Sequence, residues 1–115
     1  MLAHTCRPFL QIPAVSVVAV AAPAEYLQAT LALLQAHLSE DDFARLLLTV
    51  GGATRQDSVR AGLQILPPAI ELVLVHDAAR PLIDEATILR CIEGAINYGA
   101  VIAAVPVKDT LKKVT

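Results

Sequence analysis

The chain contains no tryptophan, and aromatic side chains make up only 3% of its 115 residues. With so few rings, the core has to be assembled from leucine, valine, isoleucine and alanine. Cysteine is equally sparse. Cys6 and Cys91 stand far apart, with no Cys-x-x-Cys pair and no Cys/His spacing around either. That excludes a disulfide framework or zinc module, and two buried reduced thiols fit a cytoplasmic protein. His4, His37 and His76 form no metal-binding pattern. There is no basic block, and a net charge of −2 argues against a nucleic-acid or anionic membrane surface. The apolar run over residues 12–24 is broken by Pro13 and Pro23 and falls short of the roughly 20 residues a membrane span requires. The N-terminus lacks the basic region and cleavage pattern of a signal peptide. No internal repeat or low-complexity tract is present.

What remains is apolar and globular: 56% hydrophobic residues against 17% charged ones, in a length that suits one domain over residues 1–115. Leu2, Cys6, Phe9 and Leu10 fall at helical spacing and predict a short amphipathic helix ended near Pro13. A chain that opens inside a helix implies that further structure precedes it. Residues 15–21 form a valine-rich strand without polar alternation. Leu27, Leu31, Leu34 and Leu38 mark one face of a second helix, and a polar connection with one more turn follows from Ser39.

Residues 47–50 predict a second buried strand, ending on Gly51-Gly52, a pair that supplies conformations closed to other residues and lets a ligand approach the backbone. Thr54-Arg-Gln-Asp57 fits a capping box, opening a helix with Val59, Gly62, Leu63 and Leu66 on its inner face. Pro67-Pro68 closes it. Residues 72–75 predict a third strand, buried on both faces, which runs into His76, Asp77 and Arg80 before Pro81. Asp84 is the N-cap of a helix whose core face is Ile88, Ile92, Ala95 and Ile96, with Gly99 ending it. Residues 100–107 predict a fourth strand.

Strand and helix alternate throughout, the pattern of an α/β fold with a mainly parallel sheet and helices on both faces. Three polar clusters, residues 51–58, 76–80 and 108–113, each follow a strand. In a parallel sheet they share one edge, where ligands bind. The other reading of each is local: a solvated turn with an internal Asp77–Arg80 pair, and an ordinary strand–turn–helix corner at Gly51.

Taken together, Gly51-Gly-x-x-Arg-x-x-Ser-Val59 with Gly62-Leu63, then Val75-His-Asp-Ala-Ala-Arg-Pro81, then Val105-Pro-Val-x-Asp-Thr-x-Lys112 resemble the 2-C-methyl-D-erythritol 4-phosphate cytidylyltransferases. The resemblance implies a Rossmann-like nucleotidyltransferase fold, a three-layer sandwich. It also implies CTP and methylerythritol phosphate as substrates, joined by in-line attack of a phosphate oxygen on the α-phosphorus of CTP with release of pyrophosphate. Mg²⁺ is the implied cofactor, and a homodimer the family's assembly. Carried over, Gly51, Gly52, Ala53 and Ser58 would lie around the cytosine, with Ala53 departing from the acidic residue often found there. Asp77 and Ala78 would face the ribose and the magnesium-triphosphate region, Asp77 being the candidate metal contact. Arg80 and Thr110, with Asp77, would face the second substrate; Arg55, Asp109 and Lys112 would be supports.

The family's glycine-rich loop, its dimerisation arm and its later substrate-gripping residues have no match in this sequence. The resemblance therefore implies a partial, incomplete cytidylyltransferase domain, inactive by itself. Two alternatives remain at this level. One is a ribitol-5-phosphate cytidylyltransferase-like protein, against which the doubled alanine of His76-Asp-Ala-Ala-Arg-Pro and Lys112 lean. The other is a non-catalytic α/β module that binds a nucleotide weakly or serves only in assembly.

Overall fold

A computed structural model of the chain describes residues 1–104. The first helix, α1 (Leu2–Leu10), ends at Gln11, two residues before Pro13. Strand β1 (Val18–Ala22) begins three residues later than its apolar run predicts. A 3-10 turn over Ala24–Tyr26 then leads into α2 (Leu27–His37). The extra turn after Ser39 is α3 (Glu40–Ala44), capped by the Ser39 hydroxyl, which accepts from the Asp42 amide at 3.2 Å. Strand β2 (Leu46–Val50), α4 (Arg55–Gln64) and α5 (Glu85–Tyr98) complete the described elements.

β1 and β2 pair in parallel, with Val18 opposite Leu46 and Val20 opposite Leu48. Residues two apart on a strand share a face. These four side chains pack against Ala3, Cys6 and Leu10 of α1 and Leu34 of α2, with Leu38 and Phe43 at the margin. Helix α4 lies against both strands, and its side chains are at most half-buried. The result is helix layers flanking a short parallel sheet, an incomplete α/β Rossmann-like arrangement. Burial pushes the Cys6 thiol above its ordinary pKa, so it packs as a small hydrophobe.

The third predicted strand is corrected. Among the described residues, 72–75 have no hydrogen-bonded partner strand and the sheet has two strands. Nor are they buried on both faces, since Val73 and Val75 are 44% and 57% exposed. A strand exists only through its neighbour. Here a trough of about 610 Å³ separates residues 72–78 from β1, with Phe9 and Val59 among the side chains lining it. Residues 101–104 likewise pair with no strand among the described residues, and the remainder of the fourth predicted strand lies outside them. The predicted helix faces need trimming as well. Ile88 is 1% exposed, but Ile96 is 71% exposed and Leu63 is exposed too, because among the described residues no layer covers the ends of α5 and α4.

Candidate functional site

The site grows from the end of β2. The Gly51 amide donates to Ala22 O at 2.8 Å, carrying the ladder one residue past the strand. The chain then turns into α4. Thr54 caps this helix, its hydroxyl accepting from the Asp57 amide at 3.1 Å. The return bond of a full capping box, from the Thr54 amide to the Asp57 carboxylate, is not formed among the described residues. Aspartate is one methylene shorter than the glutamate that usually closes the box.

The glycine pair is required for a different reason from the one its composition indicates. Neither glycine has positive φ; among the described residues only Gly99 does, where it ends α5. Closeness decides instead. A Cβ on Gly51 would stand 2.9 Å from Ser58 Oγ, and a Cβ on Gly52 would overlap Asp57 Cβ. The Gly52 amide donates to Ser58 Oγ at 3.1 Å, which binds the turn to the first turn of the helix. Gly52→Ala is therefore expected to push the start of α4 away and cost about 1–3 kcal/mol. Urea unfolding of the two proteins measures this. Equal midpoints would mean the helix start yields without strain.

Residues 76–80 approach the same turn from the other side of the trough. His76 Nε2–H donates to Arg80 O at 2.8 Å, closing the loop on itself. The His76 ring lies against Phe9 of α1, with centroids 5.2 Å apart. Thr5 of α1 donates its hydroxyl to Ala78 O at 2.8 Å. Asp77 is held by two guanidiniums: Arg55 Nη2 at 2.7 Å from Oδ1 and Arg80 Nε at 3.2 Å from Oδ2. The local Asp77–Arg80 pair is thus real, and it coexists with a longer-range pair that spacing did not reveal.

Two of the three predicted clusters are brought together. Arg55, Ser58, Asp77 and Ala78 line one end of the trough. Gly51, Gly52 and Ala53 form the adjoining turn, with Ala53 exposed, and Arg80 projects beside Asp77. Thr110, Asp109 and Lys112, with the rest of residues 108–113, lie outside the described residues. Sequence reasoning missed Thr5 and Phe9, which hold the 76–80 loop on α1. The available signal was a polar Thr5 at helical spacing with the apolar Leu2 and Phe9; in the fold it is 5% exposed.

The hydrogen bond and the charge of Arg55 hold the Asp77 carboxyl below the ordinary aspartate range; desolvation opposes them, and Arg80 and His76 add lesser effects in the same direction as Arg55. A carboxyl whose folded pKa is lowered contributes its pairing fully above the unfolded value and loses it as pH falls through the folded one. The Arg55–Asp77 link is accordingly expected to persist at neutral pH and to let go only in acid below the usual aspartate range. A carbon-detected NMR titration of the Asp77 carboxyl checks this, and an ordinary titration would mean that the pair does not hold in solution.

Among the described residues, no three histidine, cysteine or acidic side chains gather as a metal site. Both Asp77 oxygens are engaged by guanidiniums. A magnesium ion held chiefly by substrate phosphates needs only one or two carboxylates, and contact with Asp77 would require one of these guanidiniums to move aside. Also among the described residues, no helix is long and apolar enough to cross a membrane.

A family model for 2-C-methyl-D-erythritol 4-phosphate cytidylyltransferase matches residues 1–115. The bifunctional enzyme IspD/IspF of Desulfotalea psychrophila is 47% identical over 113 residues, covering 98% of this chain and 28% of that protein. The 2-C-methyl-D-erythritol 4-phosphate cytidylyltransferase of Streptomyces coelicolor is 45% identical over 118 residues, covering 99% of this chain and 42% of that protein. Its namesake from Streptomyces avermitilis is 44% identical over 118 residues, covering 99% and 46%. The chain spans less than half the length of these curated relatives. With the glycine turn, the Asp77 loop and the helices that hold them all inside one continuous match, the chain belongs to the 2-C-methyl-D-erythritol 4-phosphate cytidylyltransferase family.

Proposed function

We propose that this chain, a partial cytidylyltransferase domain over residues 1–115, forms part of a site that joins CTP to 2-C-methyl-D-erythritol 4-phosphate with release of pyrophosphate. The observation that carries it is the 2.7 Å Arg55–Asp77 pair, which links the turn after β2 to the loop after residues 72–75. Cytosine would sit against Gly51, Gly52, Ala53 and Ser58. The glycines let the turn close tightly onto Ser58 and Asp57, and the start of α4 favours a polar or negative group. The ribose and phosphates would pass over Asp77 and Ala78, where the Ala78 carbonyl is already taken by Thr5. Arg80, whose side chain is 77% exposed, would meet the phosphate of the second substrate together with Thr110. Arg55, Asp109 and Lys112 would be supports.

In-line transfer at phosphorus needs positioning and neutralisation of charge more than it needs a base. An exposed guanidinium beside a fixed carboxylate is suited to that. Magnesium would neutralise the triphosphate, and no step is assigned to it through Asp77. Partners would be these small molecules rather than nucleic acid, with a second copy of the chain as in the family, in the cytoplasm. The net charge of −2 and the two free thiols support the surroundings proposed.

The test is an amide-shift titration of the labelled chain with CTP, ATP, 2-C-methyl-D-erythritol 4-phosphate and ribitol 5-phosphate. CTP is expected to move Gly52 and Ser58 at concentrations at least about tenfold below those ATP requires, a ratio of the size that a few base-edge contacts supply. Methylerythritol phosphate should move Arg80 ahead of ribitol phosphate. Equal responses to CTP and ATP would remove the cytidine assignment, and preference for ribitol phosphate would transfer the chain's substrate to the related activity.

A further inference from the structure

Asp77 is shared by two arginines that differ in what they report. Arg80 is three residues away, so that pair needs only a local turn. Arg55 is 22 residues away at the first position of α4, and its 2.7 Å bond requires both segments to be in place. Among the described residues it is the one hydrogen bond that joins residues 51–58 to residues 76–80. The loop's other anchors, Thr5 to Ala78 O and the Phe9–His76 ring contact, hold its backbone and the histidine but leave the Asp77 carboxylate free to rotate.

What that rotation would do follows from arginine chemistry. A carboxylate free to turn toward a neighbouring guanidinium prefers the bidentate fork, with both oxygens on two parallel N–H groups. Here Asp77 does not chelate Arg80. Arg55 occupies Oδ1, and Asp77 reaches Arg80 through Oδ2 and Nε alone. Both terminal nitrogens of Arg80 are thereby without a partner among the described residues, and its side chain is 77% exposed.

We infer that Arg55 is a positioning residue: by occupying one oxygen of Asp77 it stops that carboxylate from chelating Arg80, and so keeps the Arg80 fork available to a phosphate monoester. This deepens the proposed function and rests on it for the identity of the ester. Arg55 acts through Asp77 rather than by touching the ligand. It also joins the two segments, so a ligand that draws Arg80 away from Asp77 tightens the Asp77–Arg55 link and steadies the glycine turn.

The test is a double-mutant cycle on the full 115-residue chain, with Arg55→Gln, Asp77→Asn and the double variant. Affinity is measured for inorganic phosphate and for 2-C-methyl-D-erythritol 4-phosphate. Arg55→Gln is expected to weaken both by about tenfold with Asp77 present, within the range of measured couplings, and by less than about twofold in the Asp77→Asn background. Arg55→Lys should recover most of the loss, since an ammonium also occupies Oδ1. An equal loss whether Asp77 is intact or replaced would make Arg55 a direct charge on the ligand and overturn the inference. So would a failure of Arg55→Lys to recover affinity. If the cycle behaves as expected with phosphate but methylerythritol phosphate binds no tighter than phosphate, the substrate assignment falls and the role of Arg55 stands.

Discussion

Incubated with CTP, magnesium and 2-C-methyl-D-erythritol 4-phosphate, the 115-residue chain is expected to release pyrophosphate more than about a thousandfold more slowly than the Streptomyces coelicolor enzyme. The pentavalent transition state spreads negative charge over the transferring phosphoryl group and the departing pyrophosphate. The described ledge brings two guanidiniums and one carboxylate to that charge, a net of one positive unit. Arg55 is committed to Asp77 in the geometry observed, which leaves Arg80 as the cation on offer here among the described residues. No lysine occurs within residues 1–104. Each preorganised donor withheld from such a transition state typically costs about 100- to 1,000-fold in rate, so the loss of even two would exceed the window of an ordinary assay. Binding suffers less, because ground-state contacts to the cytosine and sugar do not depend on those donors. A continuous pyrophosphate-release assay reads the outcome. Turnover within about tenfold of the relative, abolished by Asp77→Ala, would show that the ledge is enough.

The second large effect is on stability and association. Val18 N–H donates to Arg45 O and Ala22 O accepts from Gly51, so in the parallel ladder the backbone groups of Val18, Val20 and Ala22 face β2. Those of Ala19 and Ala21 therefore face the trough, and no described strand meets them there. Unpaired strand edges recruit other strands, and this edge opens onto an apolar trough of about 610 Å³. The radius of gyration, 15.6 Å, also exceeds the about 13 Å of a packed domain of this length. The isolated chain is expected to be stable by less than about 5 kcal/mol, the lower bound for ordinary domains, and to self-associate at micromolar concentration. Light scattering across a dilution series and amide exchange test both points. The Val18 and Val20 amides should exchange slowly, and those of Ala19 and Ala21 orders of magnitude faster in the dilute monomer. A sharp cooperative melt of a dilute monomer with all four amides equally protected would contradict this account.

Local chemistry was legible without coordinates because its causes lie within a few residues. The caps at Thr54 and Asp84 are such cases: each side chain accepts from the amide three residues on, so the spacing alone sets the bond, and Ser39 caps its turn in the same way although only a polar connection with one more turn was expected there. The Asp84 carboxyl is held below the ordinary range by the Thr87 hydroxyl and amide, again within one helical turn. Helices α1, α2, α4 and α5 were predicted to within a few residues for the same reason, and so was β2. The meeting of Gly51–Ser58 with His76–Arg80 was expected from strand–helix alternation, but with residues 72–75 outside the ladder it is Thr5, Phe9 and Arg55 that hold the two together.

Four features depended on which segments met in space. Residues 72–75 carry as good a strand pattern as β2, but strand character is a property of a pair, and the trough denies them a partner. Ile96 and Leu63 have helical-face spacing, yet burial depends on whether a neighbouring layer extends that far. Gly51 and Gly52 were readable as a turn; that they serve close approach to Ser58 and Asp57 rather than positive φ required the helix to be placed. The contact of Arg55 with Asp77 spans 22 residues and two elements, and no periodicity encodes it. Caps, helix type and the order of the motifs are thus written in the sequence, because their energies come from contacts within a turn or two. The free edge of β1, the exposure of residues 72–75 and the state of the Asp77 carboxylate were decided by the tertiary structure, because each depends on a partner that is distant along the chain or absent.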